Sequence, residues 1–286
     1  MKQGLKHKKE YLLVFILLTL GITWGFGFIP VFLGITGTAL GTFLFYFGAG
    51  APSVVALFIV CMTYSKEERK DYFTRCFNLK RMTLKWTIWT TLFWTINAVI
   101  GLVIAVGILK YPMPEMKWLH LMLSKPYLLP VMILLSIVSG PLNEEFGWRG
   151  YALDRLFCKF GFIKGALVLG FIWGIWHLPW YFTPGQAQYL MAQTSLWDSI
   201  LFIISTMMLS VVVAFVYIQT NRSILAGAYV HMSSNFLTSQ LLADYSQQTA
   251  TILRYVSIGM CLCVMIYTLM SQKFAERYEK VTTYKK

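Results

Sequence analysis

The sequence predicts an all-α, polytopic membrane protein of about eight transmembrane helices with both termini in the cytoplasm. Three observations lead there. Of the 286 residues, 57% are hydrophobic and only 13% charged, about half the charge fraction of a soluble domain, and mean hydropathy is +0.60. The apolar residues gather into runs long enough to cross a bilayer, which takes about 20 residues in a helix. The basic residues gather between alternate runs. Of the 25 Lys and Arg, 21 fall in segments on one side, and only Lys110, Lys117, Lys125 and Arg254 fall on the other. That asymmetry marks the richer side as cytoplasmic. Sorting and attraction to anionic lipid also account for the net charge of +13, because the cations lie between apolar runs rather than on a polar, solvent-facing surface. The bilayer is the predicted partner, and nucleic acid is not.

Residues 1–10 are a short basic segment, and residues 11–33 form the first span. That run is too long for a signal-peptide core and has no small-residue cleavage site. A short uncharged turn at 34–37 leads into the second span, about 38–64. Residues 65–85 are a charged connector whose Tyr72, Phe73 and Phe77 predict a helix lying in the interface. The third span covers about 86–109, and a loop with Pro112, Pro114 and Pro126 follows. The fourth begins near Tyr127, reaches Glu144 and Glu145, and keeps helical register to about Arg155. Pro141 should kink it, since proline removes a backbone donor. The fifth span, about 165–182, ends in Pro179 and Pro184. The sixth, seventh and eighth cover about 196–218, 224–243 and 252–270, and a basic tail closes the chain at 271–286. Residues 1–286 read as one membrane domain with its chemistry at about 127–243. There is no internal repeat. The five cysteines are scattered, without a disulfide framework, and Cys261-x-Cys263 lies inside an apolar run.

Three polar motifs fall in these spans. In Glu144-Glu145-Phe146-Gly147-Trp148-Arg149, Glu145 and Arg149 are i, i+4 neighbours that can pair, while Glu144 points about 100° away. In Trp173-Gly174-Ile175-Trp176-His177, Gly170 and Gly174 offer a small-residue face for close helix approach, and Trp173 lies one turn before His177. In His231-Met232-Ser233-Ser234-Asn235, His231 and Asn235 share one face, with Gly227 a turn earlier. Taken singly, each motif is satisfied by an ion pair or an interhelical hydrogen bond. Depth argues for a shared site. Glu144 is about eleven positions from Arg155, His177 about thirteen from Lys164 and His231 about nine from Arg222, so all three lie roughly 14–20 Å from the inner basic anchors at 1.5 Å per residue. The other two histidines, His7 and His120, fall in the tail and a loop.

An ionisable group at such depth is costly and usually has a task. A carboxylate and an imidazole around one water make a general base and its orienter. A second histidine and an amide can stabilise an oxyanion, which supports peptide hydrolysis without a Ser or Cys nucleophile. Alternatively, Glu144, His177 and His231 are a ligand set for zinc or another divalent metal with an open position for water. The chain lacks His-Glu-x-x-His, the usual helix-borne zinc-protease signal.

The three motifs, in this order and on separate spans, resemble those of the CAAX protease and bacteriocin-processing (Abi) family of intramembrane endopeptidases: Glu-Glu-x-x-x-Arg, Phe-x-x-x-His and His-x-x-x-Asn. The resemblance is specific over about residues 128–242, and the eight-span layout is similar to the Ras-converting branch. It implies that Glu144 is the general base, that His177 orients the water, and that His231 and Asn235 form the oxyanion site. Glu145, Arg149 and Trp173 would be support, with no cofactor required. Trp173 stands where the family usually has Phe. The implied substrates are membrane-embedded peptides or lipid-modified protein tails, and the implied location is the plasma membrane with the site toward its cytoplasmic half. The end of this chain, Thr283-Tyr284-Lys285-Lys286, is no prenylation signal. Two other classes compete: a catalytically silent immunity or scaffold protein, and a proton-coupled transporter using Glu144 as carrier. The absence of paired interrupted repeats speaks against the transporter.

Overall fold

The most buried helix sets the architecture. Leu196–Gln219 (α11 in chain order) carries Val211, Val212, Val213 and Ala214 in succession, and all four are fully buried. A helix apolar and buried on every side belongs at the centre of a bundle. The computed structural model describes residues 2–138, 140–241 and 245–282. Ala243, where the seventh span was expected to end, and the Thr283–Lys286 terminus lie outside the described residues, as do the side chains of Lys2, Lys6, Lys8 and Lys9. Every regular element among the described residues is helical.

The helices before the centre are α1 (Lys2–Phe32), α2 (Ala39–Ala49), α3 (Ala51–Thr63), α4 (Lys66–Phe77), α5 (Leu84–Leu102), α6 (Lys117–Ser124), α7 (Leu129–Val138), α8 (Pro141–Gly147), α9 (Leu153–Trp176) and α10 (Ala187–Thr194). After it come α12 (Ile224–Asn235), α13 (Gln247–Met270) and α14 (Gln272–Thr282). Among the described residues five stretches are by themselves long and apolar enough to cross a membrane, or six if α2 and α3, bent by 48° at Gly50, are one span. The predicted first, third, sixth and eighth spans correspond to four of these. Their outer faces stay apolar, with Leu13 and Leu17 on α1, Leu92 and Ile96 on α5, and Leu262 and Ile266 on α13 all exposed. Such faces suit hydrocarbon rather than water.

The structure alters the sequence reading in several places. The fourth and fifth spans join in one 57-residue stretch, Pro126–Phe182, which turns within α9 at Gly161, whose φ of 75° is open to glycine but disfavoured for other residues. The expected kink at Pro141 is a full interruption. Helix α7 stops at Val138 and α8 starts afresh with Pro141 in its first turn, where the missing N–H has no helical partner to lose. Among the described residues the seventh span is the twelve residues of α12 and a five-residue π-helical turn, Phe236–Gln240. The loop at 110–126 contains α6, and α10 follows the proline pair Pro179 and Pro184. Residues 272–282 of the basic tail form α14.

The expected connector helix is present as α4, started by a capping box in which Ser65 and Glu68 exchange side-chain and backbone hydrogen bonds. It is less interfacial than expected. Tyr72 is fully buried, and burial pushes the Cys76 thiol up to about 12, leaving it an inert part of the core. An ionic cluster fastens this helix to the bundle. Asp154 accepts from Arg222 and lies 3.5 Å from Arg75 Nη1, while Arg75 also pairs with Asp71 at 2.9 Å and donates to the Tyr217 hydroxyl at 2.8 Å. Arg222, read from the sequence as an anchor at the inner boundary, is buried here, as is Arg75.

Glycines set the close approach of α9 to the centre. A Cβ on Gly170 would lie 2.4 Å from the Met207 Cα, and one on Gly174 would lie 2.8 Å from Thr206 Oγ1. The small-residue face expected there is the face that meets α11.

Candidate active site

Helix α8 carries both acids, and three contacts fix it. Ser53 Oγ of α3 donates to the Leu142 carbonyl at 3.1 Å, and the Tyr72 hydroxyl of α4 donates to the Phe146 carbonyl at 2.8 Å. Gly147 meets α3 so closely that a Cβ there would lie 2.3 Å from the Pro52 carbonyl oxygen. A π-helical turn, Trp148–Ala152, then joins α8 to α9. Such turns shift the faces of a helix by about a residue and recur at functional sites. This one turns Arg149 back beneath Glu145.

The two carboxylates have different surroundings, as the 100° between them predicts. Glu145 is fully buried. Its Oε1 accepts from Arg149 Nη1 at 2.8 Å and meets His231 Nδ1 at 3.0 Å. A carboxylate beside a guanidinium only accepts, so His231 carries its proton on Nδ1 and turns Nε2 away from Glu145. Glu144 is 7% exposed, and its Oε2 accepts the indole N–H of Trp173 at 2.6 Å. It makes no ion pair among the described residues, although Glu145, Arg149 and His231 are all within electrostatic reach of it.

His177 ends α9. Its Nδ1 lies 2.9 Å from the Trp173 carbonyl oxygen, one turn back, which again places the proton on Nδ1 and leaves Nε2 outward. Aromatic rings surround it, with centroids of Trp176, Trp180 and Phe202 at 4.7, 5.1 and 5.1 Å. His231 and His177 are in electrostatic range of each other. Asn235 ends α12 one turn beyond His231 and is half-buried.

Trp173 joins the motifs. Besides its bond to Glu144, its ring has the Arg149 guanidinium 4.8 Å from its centroid and meets the His231 ring edge-on at 4.8 Å. The sequence marked this residue as a supporting aromatic beside His177, without assigning it a hydrogen bond. The overlooked signal is chemical: indole has a donor and a benzyl ring has none. The bond from His231 to Glu145 was also not foreseen, since 86 residues separate them.

Chemically, the arrangement holds one acid locked by a cation and a histidine, and a second acid held by one neutral donor. Two imidazoles have their Nδ1 protons engaged and their Nε2 atoms left for other work. Among the described residues no three His, Cys, Asp or Glu side chains come together as metal ligands.

Two comparisons with known proteins bear on the family. A family model described as type II CAAX prenyl endopeptidase Rce1-like matches residues 126–237. A protein of Methanococcus maripaludis, named CAAX prenyl protease 2, is 27% identical over 274 residues, which cover 89% of this chain and 93% of the relative. The family resemblance carried by the three motifs is borne out by both.

Proposed function

We propose that this chain, Rce1-like over its motif-bearing part, is an intramembrane endopeptidase that hydrolyses a peptide bond in a membrane-associated, lipid-modified protein tail. The family match supports a protease and an integral, multi-pass membrane protein. The observation that carries the finer reading is the split between the acids: Glu145 is committed to Arg149 and His231, and Glu144 is not.

In this reading Glu144 takes the proton from a water as that water attacks the scissile carbonyl, and then delivers it to the leaving amine. His177 orients the water through Nε2, since its Nδ1 proton is held by the Trp173 carbonyl. His231, aligned by Glu145, and the Asn235 amide stabilise the oxyanion that develops. Glu145 plays the part of the third group in a triad, fixing the tautomer of a histidine it does not deprotonate. Preorganised donors in a water-poor site contribute far more than the same donors in water. The charge asymmetry orients both termini and the site's entrance toward the cytoplasm, where soluble domains carry lipid-modified tails to the membrane.

The test is cleavage of a library of prenylated and unprenylated peptides by purified wild-type and Glu144→Gln protein, with and without chelator. The expected result is wild-type cleavage that resists the chelator and a loss of at least about a hundredfold in the variant. Full turnover by the variant would assign the chain to a different chemistry, and chelator-sensitive cleavage would restore the metal reading.

A further inference from the structure

A second site lies away from the motif helices. A groove of about 830 Å³ opens between α5, α11, α13 and α14, and none of its lining residues belongs to α8, α9 or α12. That volume is ordinary for a small-molecule or lipid-chain site. Helical spacing builds it. Trp86, Trp89 and Phe93 recur on one face of α5, and Met260, Val264 and Tyr267 on one face of α13, with Phe215 of α11 as the floor.

Its rim is cationic. Lys273, Arg277 and Lys280 lie at i, i+4 and i+7 on α14 and line the same groove with Lys85 of α5. Helix α14 cannot roll to hide them, because Phe274 on another of its faces is buried against Phe162 at 4.7 Å and Phe215 at 5.5 Å. The rim charges have no carboxylate partner among the described residues. Arg277 donates only to neutral oxygens, the Gln219 carbonyl and Asn221 Oδ1, and the Lys85 ammonium rests 5.3 Å from the Trp86 ring centroid. The acid in the lining, Glu276, accepts from Gln272. Aromatic walls below and unpaired cations above are what a lipid anchored by an anionic headgroup requires.

We propose that this groove binds an anionic phospholipid of the surrounding bilayer, the phosphate on Lys273, Arg277, Lys280 and Lys85 and an acyl chain along Trp89 and Tyr267. Charge complementarity selects this occupant over a neutral isoprenoid, for which the four cations offer nothing. The groove adjoins the outward apolar faces of α5 and α13, so a bilayer lipid enters sideways. The site does not depend on the proposed protease activity.

The experiment uses the full chain in phosphatidylcholine vesicles containing a minor fraction of dibrominated phosphatidylglycerol, or of dibrominated phosphatidylcholine. Quenching of Trp86 and Trp89 is read as the difference between wild type and W86F/W89F. Brominated phosphatidylglycerol should quench that signal at least about fivefold more effectively than brominated phosphatidylcholine. Each basic residue near an anionic headgroup contributes a factor of up to about five, so K273Q/K280Q should bring the preference close to one while K273R/K280R retains it. Equal quenching by the two lipids overturns the proposal, as does a preference unchanged in K273Q/K280Q. Displacement of the brominated lipid by a farnesylated peptide overturns it too, by making the groove a substrate site. If circular dichroism shows K273Q/K280Q to be unfolded, the wild-type comparison decides alone.

Discussion

Trp173 donates its indole N–H to Oε2 of Glu144 across 2.6 Å, and among the described residues Glu144 has no ion pair to hold it otherwise. The proposed base is thus aimed by a neutral donor that restrains its position without taking its charge. Phenylalanine keeps the ring that Arg149 and His231 touch but removes the donor. A hydrogen bond to a charged group contributes about 1.5–3 kcal/mol, so Trp173→Phe should lower kcat about tenfold with KM unchanged. Trp173→Ala, which also strips the ring from Arg149 and His231, should lose more. Steady-state kinetics on one peptide substrate measure both, and an unchanged kcat in Trp173→Phe would show that the carboxylate is aimed by something else.

The two acids should fail differently. Arg149 is fully buried, and among the described residues its ion pair is with Glu145. Removing one partner of a buried pair typically costs 3–5 kcal/mol, because the other charge stays behind unpaired. Glu145→Ala should therefore lower the thermal unfolding midpoint in detergent by several degrees and lose activity through His231. Glu144→Ala should lose activity with an unfolding midpoint near that of wild type. Equal destabilisation by both would contradict the division of roles.

The contrast shows what a sequence can reveal here. Apolar runs, the Glu145–Arg149 spacing and the Gly170/Gly174 face are local patterns, and each reappears in the fold. The Glu145–His231 bond and the Arg75–Asp154–Arg222 cluster join partners 68–86 positions apart, with no periodicity to announce them. Pro141 was visible, but whether a proline kinks a helix or begins a new one depends on whether its neighbours have other hydrogen-bond partners. Helices α6 and α10, of eight residues each, are too short for a clear periodic signal. The depth count placed Glu144, His177 and His231 at one level, and the structure adds that Trp173 is the side chain between them.

Gly147 offers a test of how the acid helix is seated. A Cβ at this position would lie 2.3 Å from the Pro52 carbonyl oxygen, a backbone atom that moves only if α3 moves. Gly147→Ala should destabilise the protein by about 1–3 kcal/mol, the usual range for overpacking, and should reduce activity by displacing Glu144, three residues earlier. Gly21 is the control. Nothing lies within 4 Å of a Cβ there, and alanine in a helix interior is better than glycine by about 1 kcal/mol. Unfolding midpoints of the two variants should move in opposite directions.

The last prediction concerns Asp154, which holds two arginines from different parts of the chain. Arg75 comes from the connector helix α4 and Arg222 from the turn before α12, and both reach the same carboxylate oxygen. The Tyr217 hydroxyl accepts from Arg75 at 2.8 Å and donates to Asp154 Oδ1 at 3.1 Å, closing the network against the central helix. Asp154→Ala leaves two nearly buried guanidinium groups facing each other, with Asp71, 39% exposed, as the remaining acid. The expected loss is about 3 kcal/mol, the lower end for a broken buried pair, because water reaches part of the cluster. Coupling supplies the sharper measurement. Once Asp154 is gone, Arg222 has lost that pair, so Arg222→Ala should cost less in the Asp154→Ala background than in wild type, by about 1–3 kcal/mol. A double-mutant cycle on unfolding midpoints tests this directly. Additive losses would mean that Arg222 holds the turn before α12 through its other contacts, not through Asp154.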